Sequence, residues 1–147
     1  MPQPQRLPRE VWIATLTQEG IGGGSCDEVI RSALAKMRAL LPQQPDIFCL
    51  PETFHYWNVS GSRPPVPEMA ATWEKPIVEA MAGFARENHC YVIAPIHTLD
   101  RGRCYNAAVL IDRQGKRLGE YRKAQIAPLI WPSVSQKQDA RRRSEQE

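Results

Sequence analysis

Apolar segments separated by polar turns run along most of the chain and predict strands. Residues 11–16, 46–50, 91–96 and 104–111 are largely apolar runs with little alternation, a pattern typical of strands covered on both faces. Residues 117–122 alternate enough to add a fifth strand. The turns at residues 100–103 and 112–115 separate the last three of these strands.

Two helices are predicted between these strands. Ser25 and Glu28 match a capping box, and apolar residues then recur at helical spacing until Pro42. The second helix is expected to begin near residues 73–76 and to end near Asn88, after a long surface loop at residues 53–67. The element order β-α-β-α-β-β-β predicts a layered α/β fold.

The composition fits one globular domain and excludes several other classes. The chain has 147 residues, 42% of them apolar, and no apolar run reaches the roughly 18–20 residues of a membrane-spanning helix. The amino terminus has no signal-peptide core. The sequence therefore predicts a cytoplasmic protein without a membrane partner. The four cysteines have no C-x-x-C spacing, which favours reduced thiols over a disulfide framework or a zinc site.

Two further patterns suggest a binding function but have simpler interpretations. Gly20, Gly22 and Ser25 superficially match a dinucleotide-binding loop, yet the acid expected about 20 residues later is missing from the end of the next strand. A flexible connection suffices, and no cofactor is predicted. The positive segment 113–147 includes three consecutive arginines at 141–143, but acids flank them. A solvated tail is therefore favoured over a nucleic-acid-binding arm.

Two charged residues lie where α/β folds place their ligand sites. Glu52 directly follows a buried strand, and Lys123 follows the last strand. Loops at the carboxyl ends of parallel strands converge on a crevice. By position alone, Glu52 could equally be a solvated loop acid, and an isolated lysine at such a place is usually a surface charge.

Three motifs that occur in order along the chain favour a functional site over surface charges at Glu52 and Lys123. They are PDIFCLPETF at residues 45–54, YNAAVLID at 105–112 and GEYRK at 119–123. Together they resemble the nitrilase superfamily of carbon–nitrogen hydrolases, over residues 11–123. The resemblance implies the amino-terminal half of an α-β-β-α sandwich. It also implies a Glu-Lys-Cys triad acting on a small amide or nitrile.

By motif match, Glu52 is the general base and Lys123 stabilises the tetrahedral intermediate. Phe54, His55 and Tyr56 are candidates for the substrate pocket, because this loop shapes the pocket in the family. The aromatic side chains could equally anchor the loop to the core. No metal ligand is predicted, since the three histidines are scattered.

The nucleophile is the main departure from the family pattern. No cysteine follows Lys123, and the four cysteines present are better explained by packing. We therefore expect a polar leader (1–10), a partial hydrolase domain (11–123) and a divergent, disordered tail (124–147). The chain is expected to be a truncated, inactive hydrolase. The alternative is a non-catalytic interaction protein that retains half of the fold, and a weaker third option is an anion-binding module. Members of the family form homo-oligomers, but this chain is not expected to assemble normally.

Overall fold

Five strands form one sheet in the computed structural model, which describes residues 10–124. The strands are β1 (Ile13–Thr15), β2 (Ile47–Cys49), β3 (Tyr91–Asp100), β4 (Arg103–Ile111) and β5 (Arg117–Arg122). Their spatial order is their chain order. The first three are parallel, and β4 and β5 continue the sheet antiparallel. The predicted strands are thus present, while the predicted leader and tail lie almost entirely outside the described residues.

Helix α1 (Cys26–Leu40) begins at the predicted cap. The Ser25 hydroxyl accepts a hydrogen bond from the Glu28 backbone N–H at 3.3 Å. The Glu28 carboxylate accepts from the backbone N–H of Gly24 at 2.6 Å, one residue earlier than in a standard capping box. Val29, Ile30, Ala33 and Met37 of the predicted apolar stripe are buried, and so is Cys26 in the first turn.

The second predicted helix begins earlier than expected. A single turn, α2 (Phe54–Trp57), interrupts the predicted loop, and α3 spans Val66–Asn88. Pro76 therefore lies inside α3 and not in its first turn. The reason is burial: Met69 and Ala70 extend the apolar stripe of the helix towards its amino terminus, and this packing outweighs the hydrogen bond that the proline removes.

The β3–β4 hairpin is also longer than predicted. Both strands continue to a two-residue turn, with pairing out to Asp100 and Arg103. Arg101 and Gly102 both have positive φ (48° and 76°), as a tight hairpin turn requires. The polar residues of this segment suggested a wider turn, because turn composition alone does not reveal strand pairing.

Both long helices pack on one face of the sheet. Phe48 of β2 meets Phe84 of α3 edge-to-face at 5.2 Å, and one buried cluster joins α1 and α3 to the sheet. The opposite face, which we term the open face, carries Ile93, Ala108, Leu110, Leu118 and Tyr121 along a shared groove. This arrangement is one sheet and one helix layer, the expected half of an α-β-β-α sandwich. None of the described helices is long and apolar enough to cross a membrane.

Candidate active site

Glu52 lies just beyond β2, where the chain still runs beside β3. The backbone N–H groups of Leu50 and Thr53 donate to the carbonyls of Ile93 and Pro95 at 3.0 and 2.9 Å. Thr53 is buried and has a positive φ of 46°, which is strained for a β-branched residue. This left-handed turn ends the extended segment directly after Glu52 and starts α2.

Lys123 reaches Glu52 from the end of β5. Its backbone N–H donates to the carbonyl of Asn106 at 2.8 Å, and its Nζ lies 2.7 Å from Glu52 Oε1. Asn106 Nδ2 donates to the same carboxylate oxygen, also at 2.7 Å. Three non-adjacent segments, after β2, within β4 and after β5, therefore converge on one oxygen atom. The meeting of Glu52 and Lys123 agrees with the position of each residue at a strand end.

These contacts hold Glu52 in its charged form. The hydrogen bond from Lys123 and then that from Asn106 lower the pKa of Glu52, and the charge of Lys123 acts in the same direction. Both hydrogen bonds go to Oε1. Oε2 accepts none from the described residues, so it remains available to a proton or a ligand.

A pair of buried histidines packs next to the site, and one of them, His97, is close enough to Glu52 to interact with its charge. His97 lies directly opposite Asn106 in the β3–β4 register, and its ring meets that of His55 edge-to-face at 5.1 Å. The backbone N–H of His97 points to His55 Nε2 at a long 3.5 Å. Burial lowers the pKa of His55 to about 3 and that of His97 to about 4. Both imidazoles are therefore neutral near pH 7.

The three predicted pocket residues differ in accessibility. Phe54 and His55 are fully buried, while Tyr56 is half-buried and contacts the His97 ring at 5.3 Å. Phe54 belongs to the hydrophobic core cluster. Of the three, Tyr56 alone has surface to offer a ligand, and its role in a pocket remains a prediction.

None of the four cysteines has the environment of an activated nucleophile. Cys26 lies in the first turn of α1, a position that could lower a thiol pKa, but burial and the charge of Asp27 raise its pKa to about 12. Burial likewise raises the pKa of Cys49, Cys90 and Cys104. Thiols of this kind stay protonated and unreactive near neutral pH.

Asn106 and His97 are the site residues that sequence reasoning missed. Asn106 belongs to a motif that signalled the family, yet nothing in its local sequence showed that it would bond Glu52, 54 residues away. His97 follows the apolar run predicted at residues 91–96 and was one of three scattered histidines in the sequence, but it lies within β3. Among residues 10–124, no group of three or more potential metal ligands comes together.

Solved structures of carbon–nitrogen hydrolases share this architecture. The chain superposes on a carbon-nitrogen hydrolase from Helicobacter pylori G27 with a TM-score of 0.69 at 19% identity, covering 82% of this chain and 42% of that one. An amidase from Nesterenkonia sp. gives 0.64 at 18% identity, with coverage of 80% and 44%. An N-terminal amidase with a Gln-Gly peptide gives 0.61 at 20% identity, with coverage of 82% and 29%. The chain thus spans less than half the length of these proteins.

Sequence comparison gives the decisive result. No curated protein is significantly similar to this chain in sequence. The family model of the carbon-nitrogen hydrolases, however, matches residues 14–142. This match contains Glu52, Asn106 and Lys123 and continues past β5. The chain therefore belongs to the carbon-nitrogen hydrolase family.

Proposed function

We propose that this chain forms the base-and-cation half of a hydrolase site for non-peptide carbon–nitrogen bonds, those of small amides or nitriles. Glu52 is the general base and Lys123 is the cation that stabilises the tetrahedral intermediate. The observation that carries the proposal is the 2.7 Å contact between Lys123 Nζ and Glu52 Oε1, supported by the second bond from Asn106. Glu52 and Lys123 are 71 residues apart in sequence, so no local secondary structure requires their contact.

The geometry suits proton transfer through one carboxylate oxygen. Lys123 and Asn106 hold Oε1, so Oε2 is the atom that would take the proton from an attacking thiol. The sulfur then bonds to the amide carbon, and the ammonium of Lys123 offsets the negative charge that develops on the substrate oxygen. The amine leaves with the proton from Glu52. Water, deprotonated by the same carboxylate, then attacks the thioester and releases the acid and the thiol.

The thiol in this scheme is not one of the four cysteines present. All four have raised pKa values, and three of them precede β4 in the chain. We propose that the nucleophile belongs to polypeptide outside these 147 residues. The chain by itself is then inactive, because the oxyanion-stabilising and binding groups that remain supply only a modest acceleration.

An assay of the purified chain tests this proposal. We expect no ammonia release from propionamide or propionitrile above that of Glu52→Gln, which keeps the size of the side chain and removes the base. Turnover that disappears in Glu52→Gln and in one Cys→Ser variant would overturn the proposed inactivity and identify a nucleophile within the chain. The coding sequence downstream of Glu147 is the complementary test. A reading frame, in any register, that encodes a strand ending in Cys supports the proposed site.

The alternative function, a non-catalytic interaction protein, is favoured by the open face. Leu118 and Tyr121 there are 52% and 71% exposed, and large apolar patches commonly mark interaction surfaces. The two functions differ in the role of Glu52. An interaction protein would bind its partner equally well with Glu52→Gln, whereas the hydrolase half-site would lose its binding of amides.

A further inference from the structure

Arg122 ties down the end of β5 directly before Lys123. Its guanidinium donates hydrogen bonds to Asp100 Oδ2 at 3.0 Å and to Glu120 Oε1. The guanidinium carbon also lies 3.9 Å from the centroid of the Tyr105 ring, within the range of a cation–π contact. Asp100 is the last residue of β3, and Tyr105 belongs to β4. One side chain therefore joins the end of β5 to both strands of the β3–β4 hairpin.

Glu120 continues these contacts towards α3. Its other carboxylate oxygen, Oε2, accepts a hydrogen bond from Arg117 at 2.6 Å, and Arg117 also donates to Glu74 Oε1 of α3 at 2.9 Å. Glu74 Oε2 accepts from the backbone N–H of Leu99 at 2.8 Å. The Glu120 side chain is only 13% exposed, so water and salt screen its ion pairs less than fully exposed ones. The end of β5 is thus connected to the helix layer as well as to the hairpin.

The backbone of Lys123 depends on these contacts because it lies at the edge of the sheet. Among residues 10–124, β5 pairs with β4 alone. Directly after β5, the Lys123 N–H donates to the Asn106 carbonyl at 2.8 Å. The end of an edge strand has low local stability, since backbone hydrogen bonds hold it from one side only. Side-chain contacts at Arg122 oppose the opening of this end.

Arg122 and Lys123 act on opposite sides of the chain. Successive side chains of an extended strand point to alternate faces. Arg122 contacts Asp100 and Tyr105, whereas Lys123 Nζ lies 2.7 Å from Glu52 Oε1. The lysine side chain is flexible and 43% exposed. The position of its Cα, which Arg122 helps to fix, therefore decides whether the ammonium stays at Glu52.

We infer that Arg122 is a positioning residue, which clamps the end of β5 to Asp100 and Tyr105 and so holds the ammonium of Lys123 at Glu52. This inference rests on the proposed function, because it assumes that Lys123 has a task at a fixed place. A charged group stabilises developing charge best when it is held in position before the reaction. A displacement of about 1 Å can already remove much of its effect.

The pKa of Glu52 in the full chain reports where Lys123 lies, and carboxyl ¹³C shifts measured against pH provide it. Arg122→Gln and Asp100→Asn each break the contact between β5 and the hairpin. Exposed ion pairs add little to stability, so both variants should remain folded. Both should raise the pKa of Glu52 by roughly 0.5, because the ammonium then leaves the carboxylate for part of the time.

The two variants separate positioning from a direct effect of charge. Arg122→Gln removes a positive charge, and Asp100→Asn removes a negative one. A direct effect on Glu52 would raise its pKa in the first variant and lower it in the second. Positioning raises it in both. Neither variant should change the pKa further when Lys123→Met is already present. Any result other than a rise in both single variants overturns the inference, and so does a rise that persists without Lys123.

Hydrogen exchange gives a second measurement on the same variants. The Lys123 amide should exchange several-fold faster than in the unmodified chain, because the end of β5 opens more often. The Asp112 amide donates to the Lys116 carbonyl at 2.9 Å at the other end of the β4–β5 pair and should keep its rate. An equal increase at both amides would indicate a general loss of stability and would overturn the positioning role.

Arg103→Gln is the matched control, because Arg103 is an exposed arginine of the same hairpin and lies opposite Asp100. It should leave the pKa of Glu52 unchanged, and a rise equal to that in Arg122→Gln contradicts the inference. Lys123→Met separates the two proposals. If it raises the pKa of Glu52 and Arg122→Gln does not, the inference alone fails. If it does not raise this pKa, the Glu52–Lys123 pair of the proposed function fails as well.

Discussion

Glu52 combines two properties that a general base needs. One oxygen is held by an ammonium and an amide donor, while the other makes no hydrogen bond within the described part of the chain. The first arrangement favours the carboxylate over the acid, and the second leaves an open position for the proton. Its side chain is 53% exposed, so the ion pair with Lys123 is expected to add no more than about 1 kcal/mol to stability.

The first prediction concerns the pKa of Glu52. Lys123→Met should raise this pKa most, because it removes the strongest hydrogen bond and the charge together. Asn106→Ala should raise it less, because it removes one neutral donor. Carboxyl ¹³C chemical shifts measured against pH report the pKa directly. Lys75→Met is the control, since Lys75 pairs with Glu79 on the exposed side of α3. A Glu52 pKa that is the same in all three variants would contradict the geometry described above.

The second prediction concerns the buried histidines and pH. The folded-state pKa values of His55 and His97, about 3 and about 4, lie below the usual value of 6.5. The unfolded chain therefore binds more protons than the folded chain below that value, and stability falls as the pH drops from about 6.5 towards 4. Each imidazole contributes up to about 1.4 kcal/mol per pH unit in that window.

Urea unfolding at pH 7, 6 and 5 measures this loss of stability. In His97→Leu the unfolding free energy should fall less steeply with falling pH. The slope should drop by up to about 1.4 kcal/mol per pH unit, because one imidazole fewer takes up a proton on unfolding. His89→Asn is the control: His89 is exposed and has a positive φ of 53°, which asparagine tolerates. Stability that does not change between pH 7 and 5 in the unmodified chain would show that the imidazoles are not buried as described.

At the scale of elements, two loops contact each other at the amino-terminal end of α1. The segment from Asn58 to Arg63 follows α2, and Gly22–Gly24 precede α1. A parallel bridge joins Gly23 to Val59, and the Ser60 hydroxyl also donates to the Gly23 carbonyl at 3.1 Å. Gly61 makes this contact possible, because a side chain there would overlap the Gly24 carbonyl.

The third prediction compares two glycine-to-alanine substitutions. Gly61→Ala should cost about 1–3 kcal/mol of unfolding free energy, as the new methyl group forces the two loops apart. Gly83→Ala lies within α3, where no atom stands within 4 Å of the new Cβ, and should stabilise the protein by about 0.5–1 kcal/mol. Urea denaturation of both variants gives the comparison. A Gly61→Ala variant as stable as Gly83→Ala would mean that the loops are not in contact.

At the scale of the whole molecule, the two faces of the sheet differ sharply. Two helices bury one face, whereas apolar side chains of β3, β4 and β5 line a groove on the other. Strands that are apolar on both faces are usually covered on both. A sheet that is covered by helices on one face only buries a smaller fraction of the surface exposed by the unfolded chain than a complete domain of this size normally buries.

The fourth prediction is that this chain alone is marginally stable and self-associates through the open face. Size-exclusion chromatography should show species larger than a monomer, and the thermal transition should be broad. Replacing Leu118 and Tyr121 together with threonine should shift the protein towards the monomer, because threonine keeps strand propensity while reducing apolar area. A monodisperse monomer with a sharp transition in the unmodified chain would contradict this and favour a complete small domain.

The sequence by itself determined the order of the five strands and the two long helices, the cap of α1 and the family. These follow from local periodicity, from residues three apart such as Ser25 and Glu28, and from motifs with a characteristic order. The sequence did not predict where α3 begins. Pro76 reads locally as a first-turn residue, and only burial of the preceding turn against the sheet makes it internal.

Only the tertiary structure decided which groups act on Glu52. Strand order brings Lys123 to it across 71 residues, and the register of β4 adds Asn106, opposite His97. Packing likewise buried Phe54 and His55 but left Tyr56 and Arg63 at the surface. Such contacts depend on sheet register and loop placement, which are set by long-range burial and pairing and leave no local sequence pattern.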